Sequence, residues 1–246
     1  MFETQMLFMA LFIGLGALIQ TVTGFAMGLI IIGGVTLFGL ADIAFTAIVV
    51  SLISLLNALM ALRLSHKFID WQLVGRVTAT MLPALVLGVI LLDFLGDDHE
   101  LLLRKLLGLV IVSGGILLML KPAPYKGVSS QWAFWSTGAL GGIIGGMYSA
   151  GGAPLAYLMY RQPIELRVVR ATLLTFFAAS TMTRTLVVGY RGDLDAEVLK
   201  VVGISVPLVI LVTVVTTRFL GYIPDTVIRR VVFMLLLLMG AMLILT

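Results

Sequence analysis

Apolar residues in this chain come in long unbroken runs separated by short charged clusters. Reading from cluster to cluster gives apolar segments at about 6–38, 42–62, 72–92, 103–120, 132–160, 168–189, 198–217 and 227–246. A bilayer core about 30 Å thick takes roughly 20 apolar residues per helical crossing. Six of the segments have that length and predict single transmembrane helices. Segments 6–38 and 132–160 are longer and rich in glycine. As one helix the first would be about 50 Å long, far more than the core requires. Each has a polar interruption, which predicts a broken, re-entrant helical hairpin with arms of about 14 residues, or about 21 Å. A kinked and tilted full span is the alternative.

The two glycine-rich segments lie half a chain apart, and other landmarks keep that offset. Leu103-Arg104-Lys105 opens one segment and Ile228-Arg229-Arg230 another. Gly115 pairs in this way with Gly240, and Pro83 with Pro207. A duplication is the economical reading. The expected fold is all-α integral membrane, with two inverted repeats that each combine a hairpin with three transmembrane helices. The first repeat is 1–120 (hairpin 6–38; spans 42–62, 72–92, 103–120). A polar linker at 121–131 carries Pro122, Pro124 and Gly127. The second repeat is 132–246 (hairpin 132–160; spans 168–189, 198–217, 227–246).

Charge placement separates the two topologies, because cytoplasmic connections collect Lys and Arg. If all eight segments cross fully, the two faces carry seven and eight basic residues, and no orientation emerges. If the two long segments are hairpins, connections 63–76, 121–126, 161–170 and 218–230 share a face with eleven basic residues. The other face keeps four, together with Asp93, Asp97, Asp98, Glu100, Asp193, Asp195 and Glu197. The hairpin topology obeys the rule. It also makes the halves inverted, an architecture of secondary transporters.

Composition excludes several classes. The chain is 61% hydrophobic and 11% charged, with mean hydropathy +1.16; a soluble domain carries about 25% charged residues. There is no cysteine, and His66 and His99 both lie in polar connections, so no metal site or cofactor is expected. The first apolar segment lacks a basic start and an obvious cleavage site, and reads as retained. Basic residues sit at helix ends, which is no nucleic-acid footprint. No span carries a histidine and no nucleophile–base grouping appears, which argues against an intramembrane enzyme.

The hairpin tips are the candidate site. The first break reads Gln20-Thr21-Val22-Thr23-Gly24-Phe25, the second Met147-Tyr148-Ser149-Ala150-Gly151-Gly152-Ala153-Pro154. A broken helix inside a bilayer leaves backbone groups that lipid cannot satisfy, so it must be buried or face water. Gly151 and Gly152 permit close backbone approach, and Pro154 suits a first helical turn. Two helix N-termini starting there would favour an anion. Close helix packing is the other role open to these glycines, and the better one for Gly142, Gly145 and Gly146. Arg184 lies within a span, where ionisable residues are rare and functional; snorkelling to the interface is its alternative. Turned inward, it could hold an oxyanion bidentately. Ser180, Thr181 and Thr183 add hydroxyls nearby. Asn57, at a corresponding depth in the first half, could donate to an anion or bridge helices.

These glycine-rich stretches resemble the sulfite exporter TauE/SafE family. Gly138 to Tyr157, with its Gly151-Gly152-Ala153-Pro154, is similar to the family's repeat ending in Gly-Gly-x-Pro. Thr23-Gly24-Phe25-Ala26-Met27-Gly28 is similar to its Thr-Gly-Phe-Gly variant, departing at Ala26 and, where a proline usually follows, at Gly33 and Gly34. The resemblance implies a bacterial inner-membrane transporter of sulfite, organosulfonates or related small organic anions, coupled to an ion gradient. Gln20, Thr23, Gly24, Phe25, Asn57, Tyr148, Ser149, Gly151, Gly152, Pro154 and Arg184 form the expected substrate-binding set. The coupling ion (proton or sodium) and a homodimer are left open. An anion channel and a non-transporting assembly subunit are the other classes considered.

Overall fold

The structure, a computed structural model, describes residues 2–96, 99–119, 125–219 and 225–245. Its described residues form helices joined by short connections, with no strand: α1 (Phe2–Thr23), α2 (Met27–Leu37), α3 (Ile43–Ser65), α4 (Trp71–Gly96), α5 (Glu100–Met119), α6 (Gln131–Tyr148), α7 (Gly152–Tyr160), α8 (Leu166–Arg191), α9 (Ala196–Phe219) and α10 (Asp225–Leu245). A 3₁₀ turn at His66–Phe68 joins α3 to α4. Helices α3, α4, α8 and α9 are each long and apolar enough to cross a membrane. Pro83 and Pro207 both fall inside such helices, as membrane helices tolerate. Asp97, Asp98 and the linker positions Lys121, Pro122 and Pro124 lie outside the described residues.

Both glycine-rich segments are broken, but not into equal arms. The breaks at residues 24–26 and 149–151 leave long first arms of 22 and 18 residues and short second arms of 11 and 9. At about 1.5 Å per residue the first arms run about 33 and 27 Å, the second about 16 and 14 Å. Equal arms of about 14 residues assumed a central break, whereas the chain breaks where it can turn. Gly24 and Ala26 take positive φ (84° and 79°) in the first break, and Ser149 (51°) in the second. Left-handed backbone costs a non-glycine residue about 1–2 kcal/mol, so surrounding contacts must hold Ala26 and Ser149 there. The Thr23 side chain does part of this, accepting from the Phe25 N–H at 3.3 Å. Its hydroxyl also lies 2.8 Å from the carbonyls of Ile19 and Phe25, either of which can receive its proton.

Each broken segment returns to the end of the bundle where it starts. In the first, Phe12 packs on Gly34, and the rings of Phe8 and Phe38 stack at 5.9 Å. In the second, the backbone N–H of Tyr125 donates to Arg161 O at 2.7 Å. Gln162 binds Ser129 twice, accepting from its N–H at 3.0 Å and donating to its Oγ at 2.9 Å. Two further contacts fit the hairpins rather than kinked full spans. Arg191, ending α8, forms an ion pair with Asp93 of α4, and the N–H of Asp70, before α4, donates to Thr172 of α8 at 3.1 Å. Full crossing of all eight segments would put the partners of each pair on opposite faces.

Helix pairings recur between the halves. Helix α1 packs on α9 and α6 on α4; α2 meets α10 and α7 meets α5; α3 packs on α8, and α5 on α10. Glycines set the closest approach. On α6, a Cβ at Gly138, Gly142 or Gly146 would lie 2.1–2.7 Å from the α4 carbonyls of Val77, Met81 and Leu85. Gly88 of α4 faces Ile143 O in the same way. For Gly142 and Gly146 the structure shows this packing role, which brings two backbones together by removing side chains.

Candidate functional site

Arg184 lies two turns before the end of α8, and its side chain is turned into the protein rather than out to the interface. It is 2% exposed and among the largest fully buried side chains. Nε donates to Gly146 O at 2.9 Å, and Nη1 donates to Ser51 Oγ at 3.0 Å. Ser51 and Ser149 face each other at 2.7 Å between their hydroxyl oxygens, and Ser149 Oγ is also 2.8 Å from Ala47 O. The guanidinium is thus held by Ser51 of α3 and the end of α6, with Ser149 of the second break meeting Ser51. Among the described residues it forms no ion pair. Asp93 and Asp193 lie near enough to favour its charge without touching it; a buried cation with no direct ion pair is costly and has room for an anion.

That cation reaches open space. A cavity of about 430 Å³ is lined by Arg184 and buried apolar residues such as Val89, Leu92, Val188 and Val198, and by the exposed Asp42, Asp93, Arg191, Asp193 and Asp195, which mark its mouth. Its walls come from α3, α4, α8, α9 and the adjoining connections. Asp42, Asp93 and Asp193 belong to three different connections that the hairpin topology assigns to one face, and the cavity joins them.

Beyond Arg184 the two breaks meet. A Cβ at Gly28, in the first turn of α2, would lie 2.1 Å from Ser149 O, so only hydrogen fits between them. Gly151 backs onto Gly141 O, and Gly152 sits under the Phe177 ring. Pro154 occupies the first turn of α7. Gly24 rests near Arg170 O on α8, and Phe25 is buried. The O–H of Tyr160 donates to Thr23 O at 2.9 Å and so closes the end of α1.

The remaining predicted residues divide by what they touch. Gln20 is 1% exposed and its Nε2 has no hydrogen-bond partner among the described residues, leaving a buried donor beside the first break. Tyr148 donates to Leu103 O at 3.1 Å and ties the second break to α5. Asn57 Nδ2 donates to Ala17 O at 3.1 Å, and Oδ1 lies 3.1 Å from the Thr21 hydroxyl and 3.4 Å from that of Thr213, whose single protons can go instead to Ala17 O and Val209 O. These contacts join α3 to α1 and α9. Thr181 donates to Phe177 O at 2.6 Å, within its own helix.

Ser51 and the carboxylates of the cavity mouth were not anticipated as site residues. A signal for Ser51 existed, since Ser51, Ser54 and Asn57 recur every third residue in an apolar span and are all buried. The carboxylates could be read as loop charges from sequence but not as lining of one cavity.

Comparison with known proteins shows which family the chain belongs to. The family model described as sulfite exporter TauE/SafE matches residues 8–243. A protein of Cupriavidus necator named probable sulfite/organosulfonate exporter TauE is 39% identical over 233 residues, covering 95% of this chain and 91% of that one. No solved structure matches. A match across nearly the whole chain shows that the protein belongs to the sulfite exporter TauE/SafE family of bacterial membrane transporters.

Proposed function

We propose that this protein exports a small sulfur oxyanion, sulfite or an organosulfonate, across the bacterial inner membrane, binding it at Arg184. The observation that carries this reading is a buried guanidinium that forms no direct ion pair among the described residues and lines an open cavity. Sulfite and sulfonate groups present paired oxygens that match a guanidinium edge. The relative's name points to the same substrate class.

The mechanism we propose is alternating access between two inverted halves, driven by a proton or sodium gradient. The recurring helix pairings, the hairpins that return to their own face and the basic end of the bundle support it. The cavity opens toward the acidic end, while behind Arg184 the tips touch at Gly28 and Ser149. One open and one closed side favour a carrier over a channel. Transport would require the tips to part on the basic, cytoplasmic face as the mouth narrows. In this scheme Ser51 and Ser149 hold the arginine, Gln20 offers a further donor at the tips, and Asn57 and Tyr148 keep the breaks in place.

The test is sulfite counterflow in proteoliposomes. Arg184→Ala should abolish flux, and Arg184→Lys should restore only a fraction because a lysine cannot make two parallel bonds. Full flux in a folded Arg184→Ala protein would remove the site.

A further inference from the structure

The mouth of the Arg184 cavity carries the wrong charge for attracting anions. Asp42, Asp93, Asp193 and Asp195 line it against one guanidinium, Arg191. Arg191 is already engaged, paired with Asp93 and 3.6 Å from Asp193. Asp42 and Asp195 have no cationic partner among the described residues. Each is an N-cap instead: Oδ1 of Asp42 accepts from Phe45 N–H at 2.6 Å, and Oδ1 of Asp195 from Val198 N–H at 2.7 Å. Capping alone does not require charge at these positions, since asparagine caps about as well as aspartate.

We propose that these carboxylates form a repulsive collar that sets the polarity of transport. An anion leaving Arg184 for the acidic face passes through a field that disfavours its presence, so release there is fast. An anion approaching from that face meets the same field, so capture is weak. The basic end of the bundle has the opposite field and gathers substrate from the cytoplasm. Fixed charges supply no net driving force; they make the apparent affinity unequal on the two faces, with the weak side outward. Asp42 and Asp195 carry this role most cleanly, because Asp93 and Asp193 are partly neutralised by Arg191.

This inference rests on the anion reading of Arg184. The experiment compares sulfite exchange in right-side-out and inside-out vesicles for the full-length protein and for Asp42→Asn/Asp195→Asn, which retains both caps. At low ionic strength the double variant should lower the half-saturating sulfite concentration at the acidic face by about three- to ten-fold. The value at the basic face should not move, and added salt should shrink the difference. An unchanged or increased value at the acidic face would overturn the collar, an increase meaning that the carboxylates help to hold the ligand. Absence of sulfite exchange by the unmodified protein from either face would overturn the anion reading and the collar together.

Discussion

Ser51 and Asn57 sit six residues apart on α3, both buried, and the hydrogen bonds around each give them different work. Asn57 joins α3 to α1 and α9. Ser51 accepts from Arg184 and meets Ser149, so it aims the charge. Asn57→Ala should therefore lower stability by about 1–3 kcal/mol, seen as a reduced unfolding temperature in detergent, while sulfite affinity in the folded fraction stays unchanged. Ser51→Ala also removes a buried hydrogen bond and should lower stability, but it differs in weakening sulfite binding by about three- to ten-fold in the folded fraction, since the guanidinium loses one of two anchors. Identical behaviour of the two variants would contradict this division. Sequence showed both as polar residues in an apolar span. It could not show which faced Arg184, because that depends on the rotation of α3 against α8.

At the scale of elements, glycine marks where one backbone meets another. The glycine-rich stretches were legible as broken helices, and their breaks at 24–26 and 149–151 fall within the stretches 23–28 and 147–154. The unequal arms were not, because hydropathy is uniform across a hairpin and arm length follows from where φ can turn positive. Nor could the motif say which glycines face backbone and which face a ring. Gly28 shows the difference, with Ser149 O 2.1 Å from where its Cβ would be. Gly28→Ala should push the tips apart, at about 1–3 kcal/mol, and raise sulfite leak through the protein. Gly75→Ala is the control, because nothing lies within 4 Å of its Cβ position. Equal flux and stability in both variants would mean that the tip contact is not a closed gate.

Across the whole molecule, the two ends carry opposite charge and the contacts fix which connections belong to each. Tyr125 and Arg161 are hydrogen-bonded at one end, and Asp42, Asp93 and Asp193 line one cavity at the other. Counting basic residues predicts the same division, because membrane insertion reads such charges. The natural absence of cysteine makes it directly measurable. Single cysteines at Lys126 and Arg161 should react with a membrane-impermeant maleimide only from the cytoplasmic face, and those at Asp42 and Asp193 only from the outer face. Labelling of Lys126→Cys and Arg161→Cys from opposite faces would break the hairpin and, with it, the inverted halves. A cysteine at Val188, on the wall of the cavity beside Arg184, extends the measurement from topology to motion. Reached from outside through the cavity, it should lose reactivity by several-fold when sulfite fills the floor or turns the carrier inward. Chloride at equal ionic strength should give no such protection. Protection that depends on sulfite would tie the cavity, the arginine and the conformational cycle into one measurement, and equal reactivity with both salts would separate the cavity from transport.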